Sequence, residues 1–315
     1  MFTVNPWGAL AIFVGTTALS GLLVWVSIAI AHRYEILDQP DGLRKIQSRP
    51  IPKLGGVAIA IAFSASAVLV LTRAGDSLVL TEALGILVPA IAAALVGYLD
   101  DKRGLTPGLR LALQAVVGIA IAWALHEQVH ITGVLAIDLV IMVLWVMTLI
   151  NGVNLLDNSD GLAGATVLIS SLMASAVAGI SGQYLIAALG VALAGTAAGF
   201  LLLNWNPARV YMGDSGAYFL GTMLAALTLQ LKITTVALPW TLIVPLLLAS
   251  LPLIDTCFVV ISRLRQGIHP FTAGRDHLSH RLQNSGLSVG NSVLTLALFL
   301  LATGFAAIAI TAVNT

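Results

Sequence analysis

The sequence predicts an all-α, polytopic membrane protein of about ten transmembrane helices. Of its 315 residues 58% are hydrophobic and only 9% charged, where a soluble domain carries about 25% charged residues. The mean hydropathy is +0.99. Apolar runs of about 18 residues or more recur along the whole chain, each long enough to cross a bilayer as a helix. A soluble protein this apolar could not cover its own surface, and the alternating pattern of an outer-membrane barrel is absent.

The expected spans lie near 7–31, 54–72, 80–98, 109–125, 133–150, 161–180, 184–203, 216–231, 238–261 and 289–312. The fourth is short, and the ninth contains Pro245, Pro252 and Asp255. No basic stretch precedes the first run and no small-residue cleavage site follows it, so it is expected to be retained as a span. The single Cys257 lies in an apolar run, which points to a small buried side chain rather than a disulfide or thiolate cluster. Gly195 and Gly199 form a GxxxG in the seventh span, a device for close helix packing.

Placing the N-terminus outside puts every Lys and Arg except Arg73 and Lys232 on one side of the membrane. The positive-inside rule then predicts an N-out, C-out topology with that side cytoplasmic. The same side collects Asp100, Asp101, Asp157, Asp160, Asp214, His277 and His280, while the outer loops are short and plain. The chain therefore reads as one domain, 1–315, with its working loops near 32–53, 99–110, 151–160, 204–215 and 262–288. A net charge of +1 gives no reason to expect a nucleic-acid partner.

The stretch NGVNLLDNSDGLAG (151–164) sets Asn151, Asn154, Asp157 and Asp160 between two spans. Asp157 and Asp160 would share a face if the segment were helical. Asp160 before Gly161 reads as an N-cap for the sixth span, whereas capping does not account for Asn151, Asn154 and Asp157. In GYLDDKRGLTPGLRL (97–111) the adjacent Asp100 and Asp101 suit a hard cation that keeps waters or substrate phosphates, or form a solvated helix end. In NWNPARVYMGDSGAYFLG (204–221), Asp214 precedes Ser215 and Gly216 at the start of a span. A helix N-terminus with a glycine-rich approach favours phosphate, and an acid there can hold a bridging metal. Tyr211 stacks on a base or sits at the membrane interface.

The first loop, PDGLRKIQSRPIPKLGG (40–56), carries Lys45, Arg49 and Lys53. These bases both obey the positive-inside rule and suit capture of anionic phosphate. In HPFTAGRDHLSHRL (269–282), His277 and His280 lie three apart between Arg275 and Arg281. A zinc site is the second reading there, but no third ligand of the usual kind is near in sequence. The arginines fit phosphate or leaving-group contacts better.

Together and in this order, these five stretches resemble the polyprenyl-phosphate N-acetylhexosamine-1-phosphate transferases, glycosyltransferase family 4. The resemblance covers about residues 38–282. It implies that undecaprenyl phosphate attacks the sugar-bearing phosphorus of a UDP-N-acetylhexosamine. The products would be undecaprenyl-diphosphate-sugar and UMP, in a nearly thermoneutral exchange that asks mainly for positioning and charge neutralisation. It also implies Mg²⁺, with Mn²⁺ as the substitute ion, membrane lipid as surroundings, and a bacterial plasma membrane location. A homodimer is compatible with it and is read from no residue.

By motif, the resemblance makes Asp214 the principal metal ligand. Asp100 and Asp101 become the paired aspartates that bind metal or handle the lipid phosphate. Asn154, Asp157 and Asp160 match the nucleotide-pocket motif. Tyr211 becomes a stacking partner for uracil with Asn204 at the pocket edge, and His277 and His280 fall near the diphosphate. The pattern departs at Ser279, where the amino-sugar enzymes carry a histidine. The PIPKLGG lead-in to the second span favours the branch that uses N-acetylglucosamine over the phospho-MurNAc-pentapeptide branch. The product would then be the first lipid-linked intermediate of a surface glycan such as lipopolysaccharide or teichoic acid. A transporter is the rival of another class. It would place ionisable groups and broken helices inside the membrane, and Asp255 near Pro252 is the feature that supports it.

Overall fold

The computed structural model describes residues 5–40, 49–74, 77–232, 238–269, 272 and 274–314. Lys45, expected to bind substrate, lies outside the described residues. Twelve helices occur among those described: α1 (Pro6–Arg33), α2 (Gly55–Ala74), α3 (Ser77–Arg103), α4 (Pro107–Leu125), α5 (Leu135–Leu156), α6 (Leu162–Ile180), α7 (Tyr184–Asn204), α8 (Gly213–Leu229), α9 (Leu238–Leu248), α10 (Ser250–Arg265), α11 (Leu278–Asn284) and α12 (Val289–Val313). The departure from an all-α chain is a two-stranded antiparallel hairpin of β1 (Leu37–Asp38) and β2 (Ile51–Pro52).

Helix starts follow the sequence. Asn5, Thr106 and Ser288 each accept a hydrogen bond from the backbone N–H three residues on, capping α1, α4 and α12, and Pro6 and Pro107 occupy the first turns of α1 and α4, where a missing N–H costs nothing. Among the described residues eight helices are long and apolar enough to span a membrane, and the α9–α10 pair, bent by 78°, brings the number to nine if it is counted as one broken span. The remaining expected span is α8. At 17 residues it is short, yet it is the axis of the bundle: Ser215 through Thr228 are all buried, with α3, α5 and α2 among the helices packed on it.

Small residues let backbones approach, as expected where lipid offers no hydrophobic drive between helices. A Cβ on Gly56 would collide with the Gly216 backbone, and one on Gly97 with the Asp214 backbone. The N-terminus of α2 and the last turns of α3 are thereby pressed onto the start of α8. The GxxxG of α7 does the expected work, with Gly195 and Gly199 against Phe13 and Thr17 of α1.

The bend at Ala249 has a definite cause. Pro252 has no N–H to give the Leu248 carbonyl, and that oxygen instead accepts the Ser170 hydroxyl at 2.7 Å.

Candidate active site

The C-terminal ends of α3 and α5 meet the N-terminal ends of α2, α4 and α8. α5 runs past its expected end at 150 to Leu156, so Asn151 and Asn154 stand on its last turns rather than in a loop. Asp157 is the residue that closes α5. The chain leaves the helix there, so Asp157 and Asp160 do not share a helical face.

Asp160 does not cap α6, which corrects the N-cap expectation. Gly161 stands at that position with φ of 82°, a left-handed conformation that suits glycine, and its N–H donates to Asn204 at 3.0 Å. The Asp160 carboxylate turns the other way, accepting from Asn206 Nδ2 and the Ala208 N–H, each at 2.9 Å. It ties the α5–α6 turn to the loop before α8. Asn204 is 2% exposed and also donates to the Val210 carbonyl at 2.8 Å, so it braces that loop from within.

The adjacent aspartates have separate surroundings. Asp100, 3% exposed, is well partnered: Oδ1 accepts from the Leu105 N–H at 2.9 Å and Arg110 Nη2 at 3.1 Å, and Oδ2 accepts the Tyr218 hydroxyl at 2.7 Å and lies 2.6 Å from Arg110 Nε as an ion pair. It locks α3, α4 and α8 together. Asp101 pairs with Lys53 Nζ at 2.7 Å and accepts from the Asp214 and Ser215 N–H groups at 3.1 and 3.4 Å. An acid from α3 thus caps α8, where its charge also favours the positive end of the helix.

Asp214 is partly exposed and accepts from Asn154 Nδ2 at 3.1 Å. Asp157 feels both neighbours: burial, then the charges of Asp214 and Asp101, push its carboxyl well above the usual range. Lys53 is the counterweight. Burial works against its charge, but Asp101 at hydrogen-bond distance, with Asp214 and Asp38, holds its pKa above the ordinary value. Asp101, Asp157 and Asp214 therefore crowd about one lysine.

Tyr211 lies alongside, partly buried, its phenol pushed up by burial and by Asp160, Asp38 and Asp157. Its N–H donates to the Pro52 carbonyl at 2.8 Å and its carbonyl accepts from Gly55 at 3.1 Å, which seats β2 beside the site. Asn151 is engaged elsewhere, donating to Gln114 Oε1 at 2.6 Å and the Met147 carbonyl at 2.7 Å. Arg49 is exposed.

The histidine loop forms a second cluster. His277 and His280 are 4% and 7% exposed, with rings edge-to-face at 5.6 Å. Arg263 holds Asp276 through two bonds of 2.8 and 2.7 Å, which keeps the Asp276 carboxyl below its ordinary range. Arg281 lies over the Phe258 ring at 4.5 Å and donates to Ser262 at 3.3 Å, while Arg275 is exposed. Ser279 is fully buried and donates to Asn158 Oδ1 at 2.6 Å. Gln283 donates to Ser159 at 3.1 Å. Both bonds fasten α11 to the turn that carries Asp157.

Sequence reading passed over Tyr218, Gln114 and Asn158, whose partners lie far off in the chain, and Arg263, whose partner Asp276 is 13 residues on. Asp255 did carry a signal, as a carboxylate inside a span, but its partner is the histidine loop: Oδ2 is 2.7 Å from His277 Nδ1 and Oδ1 accepts the Leu278 N–H at 2.8 Å.

The described residues bring no three carboxylate, imidazole or thiolate groups together as a ready coordination sphere. The donor chemistry still fits a hard cation, which takes carboxylate oxygen from one or two residues and completes its shell with water and substrate phosphate.

Residues 83–232 match the profile of glycosyl transferase family 4. The chain is 31% identical over 280 residues to a probable undecaprenyl-phosphate N-acetylglucosaminyl 1-phosphate transferase of Bacillus subtilis, covering 85% of this chain and 75% of that protein. It is 29% identical to a decaprenyl-phosphate N-acetylglucosaminephosphotransferase of Mycolicibacterium smegmatis, over 87% of this chain and 75% of the relative. A phospho-N-acetylmuramoyl-pentapeptide-transferase of Streptococcus equi subsp. zooepidemicus is 32% identical over 72% of this chain and 75% of its own length.

Proposed function

The chain belongs to glycosyl transferase family 4, and from that premise we propose that it transfers N-acetylglucosamine 1-phosphate from UDP-N-acetylglucosamine to undecaprenyl phosphate, releasing UMP. The observation that carries this reading is the surplus of carboxylates, Asp101, Asp157 and Asp214, around Lys53 at the start of α8. Crowded acids are costly without a cation, and phosphoryl transfer uses a cation in that place. Relatives named for N-acetylglucosamine transfer also cover more of the chain than the pentapeptide transferase does.

Asp214 and Asp101 would hold Mg²⁺, or Mn²⁺ in its stead; when bound, the ion neutralises charge on the transferring phosphate. Lys53, on the same carboxylates, would bind a phosphate oxygen. Asp100, held by Arg110 and Tyr218, would position Asp101 rather than touch substrate. Asn154 orients Asp214, and Asp157 lines the pocket for the nucleotide and lipid phosphate. Tyr211 would pack against uracil, with Asp160 and Asn204 shaping that wall. His277 and His280 would meet the diphosphate, with Arg49, Arg275 and Arg281 drawing in anionic substrate and Asn151 supporting α5.

The chain would act as one domain in a bacterial plasma membrane with this site facing the cytoplasm. The gathering of site residues at the base-rich end supports that orientation. The test is UMP release by the detergent-purified protein with undecaprenyl phosphate, Mg²⁺ and a panel of UDP-sugars that includes UDP-MurNAc-pentapeptide. UMP that requires lipid, metal and UDP-N-acetylglucosamine bears the reading out. Turnover with the pentapeptide donor alone moves the chain to the other branch, and lipid-independent movement of intact nucleotide sugar across a vesicle would make it a transporter.

A further inference from the structure

Asp255 is 1% exposed and sits inside apolar α10, six residues beyond the 78° bend. A lone carboxylate there is expensive unless it is paired and hydrogen-bonded. Its partners are both from the histidine loop, His277 Nδ1 at 2.7 Å and the Leu278 N–H at 2.8 Å. The carboxylate therefore does two things at once. It anchors the first turn of α11, and it claims the Nδ1 proton of His277, because an ionised carboxylate can only accept.

The two imidazoles then differ. His277 is left with Nε2 as its uncommitted nitrogen. His280 has no such partner: its Nδ1 is buried without a hydrogen bond. Burial, then the proximity of His277 and Arg275, outweighs Asp255 and Asp276 and lowers its pKa to about 4. The groups that face the pair are thus Asp255, Asp276, Arg263 behind Asp276, and Arg275. An orphaned buried nitrogen next to an oriented one leaves two ring nitrogens without a protein partner for a substrate group to meet.

We propose that Asp255 is a positioning residue for phosphate transfer, holding His277 as the Nδ1–H tautomer so that its bare Nε2 can accept a hydrogen bond from a protonated substrate phosphate oxygen, with His280 beside it. This rests on the transferase reading for its substrate, but the tautomer does not. Nitrogen-15 NMR of histidine-labelled protein in detergent, with His277 assigned by difference from His277→Gln, should show Nδ1 protonated and Nε2 bare at alkaline pH. An Nε2–H tautomer overturns the proposal whatever the activity.

The kinetic arm is a double-mutant cycle in UMP release. Asp255→Asn should lower kcat about 10- to 100-fold, the usual range for a residue that orients a functional histidine, with little change in KM for the UDP-sugar. In a His277→Gln background the same substitution should cost almost nothing, because the two act as one unit. Equal losses in both backgrounds would mean that Asp255 serves only the fold. Wild-type protein that releases no UMP while its His277 shows the Nδ1–H tautomer would sink the transferase reading and leave the pairing standing.

Discussion

The two clusters at the working end solve the electrostatic problem in opposite ways. In the histidine loop every described acid has its own counterpart: Asp276 grips Arg263, and Asp255 grips His277 and a backbone N–H. Around the start of α8, Asp101, Asp157 and Asp214 share Lys53, and the result is a carboxyl pushed far up in Asp157. A self-neutralised cluster is built for stability and orientation. A cluster left short of positive charge is built to receive it, and its acids raise the energy of the empty protein.

Substitutions that remove a charge should therefore have opposite effects on stability in the two places. The largest effect is expected from Asp214→Asn. If Asp214 holds the metal as proposed, its loss removes several kcal/mol of charge stabilisation, and UMP release should fall about 1,000-fold. The melting temperature without metal should hold or rise as like charges are relieved. A lower melting temperature would show that Asp214 is structural and erase the contrast.

Arg263→Ala should do the reverse. It leaves Asp276 without its two-bond partner and costs about 3 kcal/mol, as breaking a buried pair does, seen as a lower melting temperature. Magnesium sharpens the comparison: at about 100 times its Kd it should stabilise the wild type by about 2.7 kcal/mol. It should do almost nothing for Asp214→Asn, and it should act on Arg263→Ala as it does on the wild type.

A smaller effect is expected at the link between the clusters. Ser279→Ala removes the bond to Asn158 and should cost about 1 kcal/mol. Ser279→His restores the residue type of the resembling enzymes but places an imidazole where a fully buried hydroxyl now sits, so it should destabilise more than alanine. Improved turnover in Ser279→His would contradict this.

The smallest is a pH effect at His280. Its folded pKa of about 4 lies below the ordinary 6.5, so the unfolded chain takes up the proton first. Its contribution to stability is complete above about pH 6.5 and is lost as pH falls from there toward 4. Thermal melts of His280→Phe should show a shallower decline over that window than the wild type.

Composition and periodicity were sufficient for the membrane class, because nothing but a bilayer accepts so many apolar helices, and local motifs were sufficient to name several polar residues that the fold brings together. Asp101, Asp157, Asp214 and Asn154 do come together, since they stand at helix ends that a common topology must place on one side. What only the tertiary structure decided was which partner each polar group takes. Asp100 and Asp101 are neighbours in the chain and indistinguishable there, yet one is locked between Arg110 and Tyr218 and the other caps α8. Asp160 reads as a cap by position but serves a loop 46 residues away. Asp255 reads as a carboxylate in the membrane, and only the fold brings it to His277. The physical reason is the same each time. Hydropathy acts on each segment by itself and can be summed along a sequence, whereas a buried hydrogen bond exists only between two atoms within about 3 Å, and only the packed chain determines which two those are.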